Sequence, residues 1–149
     1  MNTENGIPLS DDGNIVFRLD RHDKKLFEIA KLKKDGESYA YNAIRFRMES
    51  LRELYNLLDL GLKTPKSTLP ILTTKINGTT VKILNRFGEF DAGYRIYQFT
   101  YTDWAGSEKY DFHPWYNNCT ECDKGIRLTE EECSKLVMIL KMWFYFNDK

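Results

Sequence analysis

One structural unit occurs twice in this chain. Ile44-Arg45-Phe46 and Ile126-Arg127-Leu128 each end a strand-like stretch and lead into an amphipathic helix pattern. The two segments align without a gap, and the apolar helix positions then coincide: Leu51, Leu54, Tyr55, Leu57 and Leu58 fall on Cys133, Leu136, Val137, Ile139 and Leu140. A strand-then-helix unit that occurs twice predicts a two-repeat α+β protein built from sheets and helices.

Length and charge limit the classes of protein to which the chain can belong. Its 149 residues are enough for one domain with a substantial core. The formal net charge is zero, so no global positive excess demands nucleic acid or an anionic membrane. Residues 14–47 nevertheless hold nine Lys or Arg and five Asp or Glu, and this modest basic region can attract an anionic partner. A solvated sheet face with mixed charges explains the same excess.

The first repeat is predicted over residues 14–62, after a flexible polar arm at 1–13. Alternation of apolar and polar residues and apolar runs predict its strands at 15–20, 26–32 and 39–47. Asp35-Gly36 predicts a tight hairpin turn before the last of these strands. A helix is predicted at 51–60. Ser50 and Glu53 have the spacing of a capping box at its start, and Gly61 is placed to end it.

The second repeat is predicted over residues 71–149, behind a proline-containing linker at 63–70. Asn77-Gly78 predicts a hairpin turn, and the strands are predicted at 71–76, 79–84 and 93–102. Residues 104–124 have no counterpart of equal length in the first repeat, so we interpret them as an insertion that forms a loop or a strand pair. Thr129 and Glu132 predict a second capping box before a helix at 130–146.

Two segments carry a resemblance to known families. Residues 124–136, from Lys124-Gly125-Ile126 to Leu136, resemble the closing segment of the positive-cofactor-four type of transcription coactivators. Strand hairpins followed by Ile44-Arg45-Phe46-Arg47 and a helix are similar to a repeat of the PUR proteins, which bind purine-rich elements. These families and the plant Whirly proteins share curved antiparallel sheets, each backed by a helix, and bind single-stranded nucleic acid. The resemblance implies two ββ(β)(β)α repeats and that function.

Basic and aromatic residues interleave on the predicted strands, as a single-strand binder requires. Bases stack on aromatic rings while Lys and Arg neutralise phosphates. The candidates are Arg18, Lys31, Tyr39, Tyr41, Arg45 and Arg47 in the first repeat, and Lys82, Arg86, Tyr94, Arg95, Tyr97 and Tyr101 in the second. The strand propensity of Tyr explains its presence equally well without a ligand.

The cysteines allow a metal site but do not require one. Cys119 and Cys122 have the spacing of one half of a zinc site, and His113 could add a third ligand. Two free thiols in a loop explain the same pattern, so no cofactor is expected. Cys133 aligns with the apolar position Leu51 and is expected to be buried.

The leading prediction is a non-catalytic protein that binds single-stranded DNA or RNA, because phosphate-binding loops and catalytic triads are not recognisable in the sequence. The alternative is a protein-interaction or inhibitor module that binds a protein partner through the sheet face and the aromatic insertion, where Trp and Tyr can act as interface anchors. The aromatic end of the last helix, residues 143–146, suggests a homodimer.

Location in the cell is predicted from what the sequence lacks. No apolar run reaches the length that a membrane span requires, so no membrane partner is expected. The N-terminus lacks the basic and apolar regions of a signal peptide. Three cysteines, an odd number, fit reduced thiols. A cytoplasmic protein is expected, or a nuclear one if the source is eukaryotic.

Overall fold

The computed structural model describes residues 6–20, 23–32, 40–116, 121–122 and 124–147, with the side chains of residues 40, 41, 116 and 121 excepted. Within these residues the protein is α+β, as the repeat predicts. It contains a four-stranded and a five-stranded antiparallel sheet, a separate strand pair and two α-helices. No helix in the described part of the chain is long and apolar enough to cross a membrane.

The N-terminal sheet has four strands in the order of the chain. They are β1 (Ile7–Pro8), β2 (Ile15–Leu19), β3 (Leu26–Leu32) and β4 (Ala40–Arg47). Strand β1 lies within the segment predicted as a flexible arm, and that prediction is wrong here. Ile7 pairs with Phe17, Pro8 pairs with Val16, and Leu9 is buried in the core. The pairing with β2 and the buried Leu9 side chain anchor a segment whose average composition is polar. The predicted Asp35-Gly36 turn lies outside the described residues.

The C-terminal half begins with β5 (Leu72–Ile76), β6 (Thr79–Asp91), β7 (Ile96–Trp104) and β8 (Ser107–His113), and continues with β9 (Trp115–Tyr116), β10 (Glu121–Cys122) and β11 (Ile126–Leu128). Its sheet has the order β11-β8-β7-β6-β5, while β9 and β10 pair with each other. The Asn77-Gly78 turn is confirmed, since both residues have positive φ angles. The predicted insertion at 104–124 contains the β9–β10 strand pair, as one alternative expected. It also contains β8, which is an interior strand of the five-stranded sheet and not part of an insertion.

The two predicted capping boxes have different outcomes. Helix α2 (Glu130–Asn147) begins as predicted. The main-chain N–H of Thr129 donates to Oε1 of Glu132 at 2.8 Å, and the main-chain N–H of Glu132 donates to Oγ1 of Thr129 at 3.1 Å. Helix α1 (Leu51–Lys63) follows a 3₁₀ turn, so Ser50 already has helical backbone angles and makes no cap. Its hydroxyl instead donates to the carbonyl oxygen of Asp91 at 2.8 Å. This bond ties the start of α1 to the end of β6.

Gly61 does not end the first helix, contrary to the prediction. It is buried inside α1, which continues to Lys63. A β-carbon at this position would lie 2.8 Å from Cε2 of Phe99 and 3.3 Å from Cε1 of Tyr110. Gly61 therefore allows the helix backbone to approach the C-terminal sheet closely, which is a tertiary role that a cap signal in the sequence does not reveal.

Both helices share one core with both sheets. Helix α1 contacts β6 and β7, so the helix of the first repeat packs on the sheet of the second. Trp143 of α2 packs edge-on against Phe27 of the N-terminal sheet, with 5.6 Å between ring centroids. Phe90 of β6 packs against Phe46 of β4 and closes the space between the sheets. The aligned pairs of the repeat are buried together: Leu51 and Cys133, Leu54 and Leu136, and Leu58 and Leu140.

Candidate functional site

The N-terminal sheet neutralises much of its own positive charge. Arg18, a predicted nucleic-acid contact, is buried and its Nε lies 2.6 Å from the Glu28 carboxylate. Arg45 remains 42% exposed but pairs with Asp20 at 3.0 Å and with Glu28 at 3.1 Å. Burial acts to lower the pKa of Arg45, but the hydrogen bond to Asp20 and the charge of Glu28 outweigh it and raise the pKa. These two guanidinium groups therefore hold the sheet together as well as carrying charge.

The other candidates of the first repeat are dispersed. Lys31 is exposed on β3. Tyr41 belongs to β4, but its side chain and all of Tyr39 lie outside the described residues. Arg47 is exposed at the end of β4, where its main-chain N–H donates to the carbonyl oxygen of Ala92. Arg47 thus contacts the second repeat.

The candidates of the second repeat fall on opposite faces of its sheet. Tyr97 points into the core, where burial raises its pKa, and it offers no ring for a base to stack on. Tyr101 is half-buried on the same face and packs against Tyr110. Lys82 is exposed opposite Asp103, and Arg86 is exposed opposite Thr100. Tyr94 and Arg95 lie in the turn between β6 and β7, with Tyr94 more than half exposed.

The β6–β7 turn brings part of the predicted site together. The Arg47 side chain lies over Gly93, because a β-carbon on Gly93 would be 2.8 Å from Cδ of Arg47. One groove contains Arg47 and Tyr94 together with Lys25 and Glu49. A second groove of about 670 Å³, which we call the Trp115 groove, also adjoins the turn. It is lined by Glu89, Asp91, Gly93, Tyr94, Arg95, Ile96, Gln98 and Trp115.

Trp115 also belongs to a second apolar cluster, which lies on the sheet face that points away from the helices. Val81 and Ile83 of β6 pack there with Trp115 of β9, and Trp104 and Cys122 contact the cluster. The β9–β10 pair therefore covers part of a sheet face that the sequence predicts to be open. This face is not available along its whole length to a single strand of nucleic acid.

Asp111 is the centre of the polar network on the same face. Its buried carboxylate accepts hydrogen bonds from Thr102 Oγ1 at 2.9 Å, Trp104 Nε1 at 3.0 Å and Arg127 Nε at 3.1 Å. Nδ1 of His113 contacts its second oxygen. Burial lowers the pKa of Arg127, partly offset by the negative charge of Asp111. With so many donors around one carboxylate, we infer that Asp111 organises the face and supports Trp104 and His113.

The zinc hypothesis stays a prediction. The His113 ring lies between Trp104 and Trp115, at centroid distances of 5.3 and 5.7 Å. Cys122 contacts the same apolar cluster, whereas Cys119 lies outside the described residues. Among the described side chains, no three His, Cys, Asp or Glu residues are grouped closely enough to hold a metal ion.

Helix α2 exposes several large apolar side chains. Met138 is 64% exposed, Met142 59%, Tyr145 74% and Phe146 63%. Met138, Met142 and Tyr145 have the spacing of one helical face, which we call the α2 stripe. Trp143 and Phe144 turn partly inward, where Phe144 packs against Tyr55 of α1 and under the Arg52 guanidinium.

Comparison with protein-family models, with curated proteins and with solved structures finds no match for this chain. The resemblance to PUR and positive-cofactor-four repeats therefore stays a prediction. Sequence reasoning missed Asp111 and the Trp115 groove. The alternation of β8 does place Asp111 and His113 on one face, but the register that aligns Asp111 with Arg127 and Thr100 comes from strand pairing.

Proposed function

We propose that the protein is a non-catalytic protein-interaction module that assembles as a homodimer through the α2 stripe. The observation that carries the proposal is the exposure of Met138, Met142 and Tyr145 on one helical face. A contiguous exposed apolar patch is typical of an interface, because each Å² of apolar surface that is removed from water favours association by about 25 cal/mol, before the entropy cost of binding is subtracted.

The stripe is complementary to a second copy of itself. When two α2 helices lie antiparallel with Met138 of one copy beside Met142 of the other, the same register places Lys135 beside Tyr145. Both contacts then occur twice, as a twofold interface requires. The Lys135 ammonium against the Tyr145 ring adds a cation–π contact. A second copy would therefore cover the exposed methionines of the α2 stripe and provide a contact for Lys135.

Sedimentation velocity at micromolar concentration tests this proposal. The wild-type chain is expected to sediment as a dimer, and Met138→Glu with Met142→Glu as a folded monomer, because the variant buries charge in the interface. Leu69→Glu with Ile71→Glu is the matched control, since both residues are exposed and apolar but lie outside α2. A monomeric wild-type chain, or a stripe variant that stays dimeric, would overturn the proposal.

Binding of single-stranded nucleic acid is the second candidate function. It is favoured by one observation, the meeting of Arg47 and Tyr94 beside the β6–β7 turn. Burial of Arg18 and Tyr97 and the internal pairing of Arg45 reduce the surface that it could use. Titration with short single-stranded DNA and RNA at two salt concentrations tests it, because each phosphate contact makes affinity fall as salt rises. Absence of binding at low salt would exclude this function.

A further inference from the structure

We propose that the outer edge of β5 binds an extended, acidic segment of a partner protein as an additional antiparallel strand. This inference rests on the proposed function, because it names the chemistry of a partner for a protein-interaction module. The β5 edge and the α2 stripe share no residue, so each can be tested by itself.

The hairpin turn after β5 fixes which main-chain groups of this strand point outward. Among the described strands, β5 pairs with β6 alone. A two-residue turn with positive φ at both positions is flanked by a directly hydrogen-bonded pair, here Ile76 and Thr79. Such pairs alternate along an antiparallel ladder, so Thr74 bonds toward β6 while Thr73 and Lys75 direct their N–H and C=O groups outward. Both residues are exposed, and two donors and two acceptors are therefore available to a further strand.

The charge beside this edge favours an acidic segment. Lys75 is exposed, faces Thr80 on β6 and has no ion-pair partner among the described residues. Lys82 lies diagonally from it on the same face, opposite Asp103 on β7, which is one carboxylate for two ammonium groups. A Glu or Asp opposite Lys75 in a bound segment would pair with it. A second β5 strand would instead bring another lysine to this edge, which disfavours a second copy as the occupant.

The other face of β5 favours apolar residues at alternate positions of the segment. Ile76 is buried and Leu72 half-buried in the cluster that contains Val81 and Trp115. An apolar side chain opposite Thr74 would extend this cluster and cover more of Leu72 and Ile76. Because neighbouring residues of a strand point to opposite faces, the expected segment alternates acidic and apolar residues.

The probe is a fluorescein-labelled peptide of alternating valine and glutamate, and fluorescence anisotropy reports its binding to the full chain. We expect saturable binding that weakens as salt rises, and no binding of a peptide of alternating valine and lysine. In the antiparallel pairing, the glutamates opposite Thr73 and Lys75 form the main-chain hydrogen bonds, whereas the valine N–H groups point away. N-methylation of the glutamates should therefore abolish binding, and N-methylation of the valines should preserve it. Equal binding of the two methylated peptides would overturn the proposal.

Two variants change the edge without removing a hydrogen bond to β6. Thr73→Pro removes an outward N–H, a change that edge strands tolerate, and should weaken binding about tenfold. Lys75→Glu should weaken binding of the valine–glutamate peptide about tenfold and create binding of the valine–lysine peptide. Lys24→Glu, at an exposed position between β2 and β3, is the matched control and should bind as wild type does. Equal weakening by the two charge variants, or unchanged binding by a folded Thr73→Pro chain, would overturn the proposal.

Sedimentation velocity and circular dichroism of the same samples separate this proposal from the dimer. Thr73→Pro and Lys75→Glu should remain folded dimers, and Met138→Glu with Met142→Glu should bind the peptide as wild type does. A dimeric wild type that binds no peptide would overturn this proposal alone. Assemblies larger than a dimer that Thr73→Pro abolishes would show that a second copy occupies the edge, and would also overturn it. If Thr73→Pro does not fold, the peptide preference of Lys75→Glu decides, and an unreversed preference overturns the proposal.

Discussion

The side-chain hydroxyl of Tyr110 donates a hydrogen bond of 3.0 Å to the main-chain carbonyl oxygen of Gly61. In a longer helix, that carbonyl would accept from the N–H of residue 65, but residue 65 is proline and has no N–H. Tyr110, on β8, therefore supplies the partner that the end of α1 lacks. The bond joins the helix of the first repeat to the sheet of the second.

Gly61→Ala should destabilise the protein although alanine favours helices. The new methyl group would lie 2.8 Å from the Phe99 ring, and overpacking of this kind costs about 1–3 kcal/mol. Urea-induced unfolding measures the change. Asn56→Ala, at an exposed position of the same helix, is the control and should be neutral or slightly stabilising. Equal stability of Gly61→Ala and wild type would contradict the close helix–sheet approach.

Tyr110→Phe should lower the free energy of unfolding by about 1 kcal/mol. The substitution keeps the ring but leaves the Gly61 carbonyl oxygen buried without a donor. Tyr145→Phe removes a hydroxyl that is exposed on α2 and should have little effect. The same urea titration measures both variants, and indistinguishable curves would show that the hydroxyl contributes nothing.

Stability should fall as pH rises above about 10. Burial raises the pKa of Tyr110 above its ordinary value of 10.0, and it also raises the pKa of Tyr97. Between the unfolded and folded pKa values the folded chain binds more protons than the unfolded chain, so stability is lost as pH increases through this window. Unfolding curves recorded on both sides of the ordinary tyrosine pKa test this. Tyr110→Phe should show a smaller alkaline loss than wild type.

Asp111→Asn should be destabilising, by about 1–3 kcal/mol, because it removes the buried carboxylate that pairs with the half-buried guanidinium of Arg127. Thermal unfolding followed by circular dichroism measures the loss, and tryptophan fluorescence should report a changed environment for Trp104. Glu108→Gln removes an exposed carboxylate from the same strand and serves as the control. A variant as stable as wild type would show that the Asp111 network is dispensable.

Cys133 should be unreactive in the folded protein. It is fully buried, and burial raises the pKa of its thiol, so little thiolate forms at neutral pH. A chain with Cys119→Ser and Cys122→Ser leaves Cys133 as its single thiol. Modification by a coloured disulfide reagent should be slow in buffer and fast in denaturant. Fast reaction in buffer would place Cys133 at the surface.

The sequence predicts the strands and helices most reliably where a local pattern also serves the core. The repeated Ile-Arg-apolar segment, the Asn77-Gly78 turn and the Thr129–Glu132 capping box all appear in the structure. Local sequence patterns predict the wrong role for Ser50 and for Gly61. Ser50 does not cap α1, because its hydroxyl bonds to the end of β6. Gly61 does not end α1, because it is needed where the helix packs closely against Phe99.

Side-chain accessibility was decided by the tertiary structure alone. Arg18 and Tyr97 lie in predicted strands, but Arg18 is buried in an ion pair with Glu28 and Tyr97 belongs to the shared core. The Trp115 groove requires β6, β7 and β9 to meet, and the Asp111 network requires the register of β7, β8 and β11. Periodicity specifies which residues share a face of one element. Which faces meet depends on contacts between residues far apart in the chain, and these form only when the sheets and helices pack.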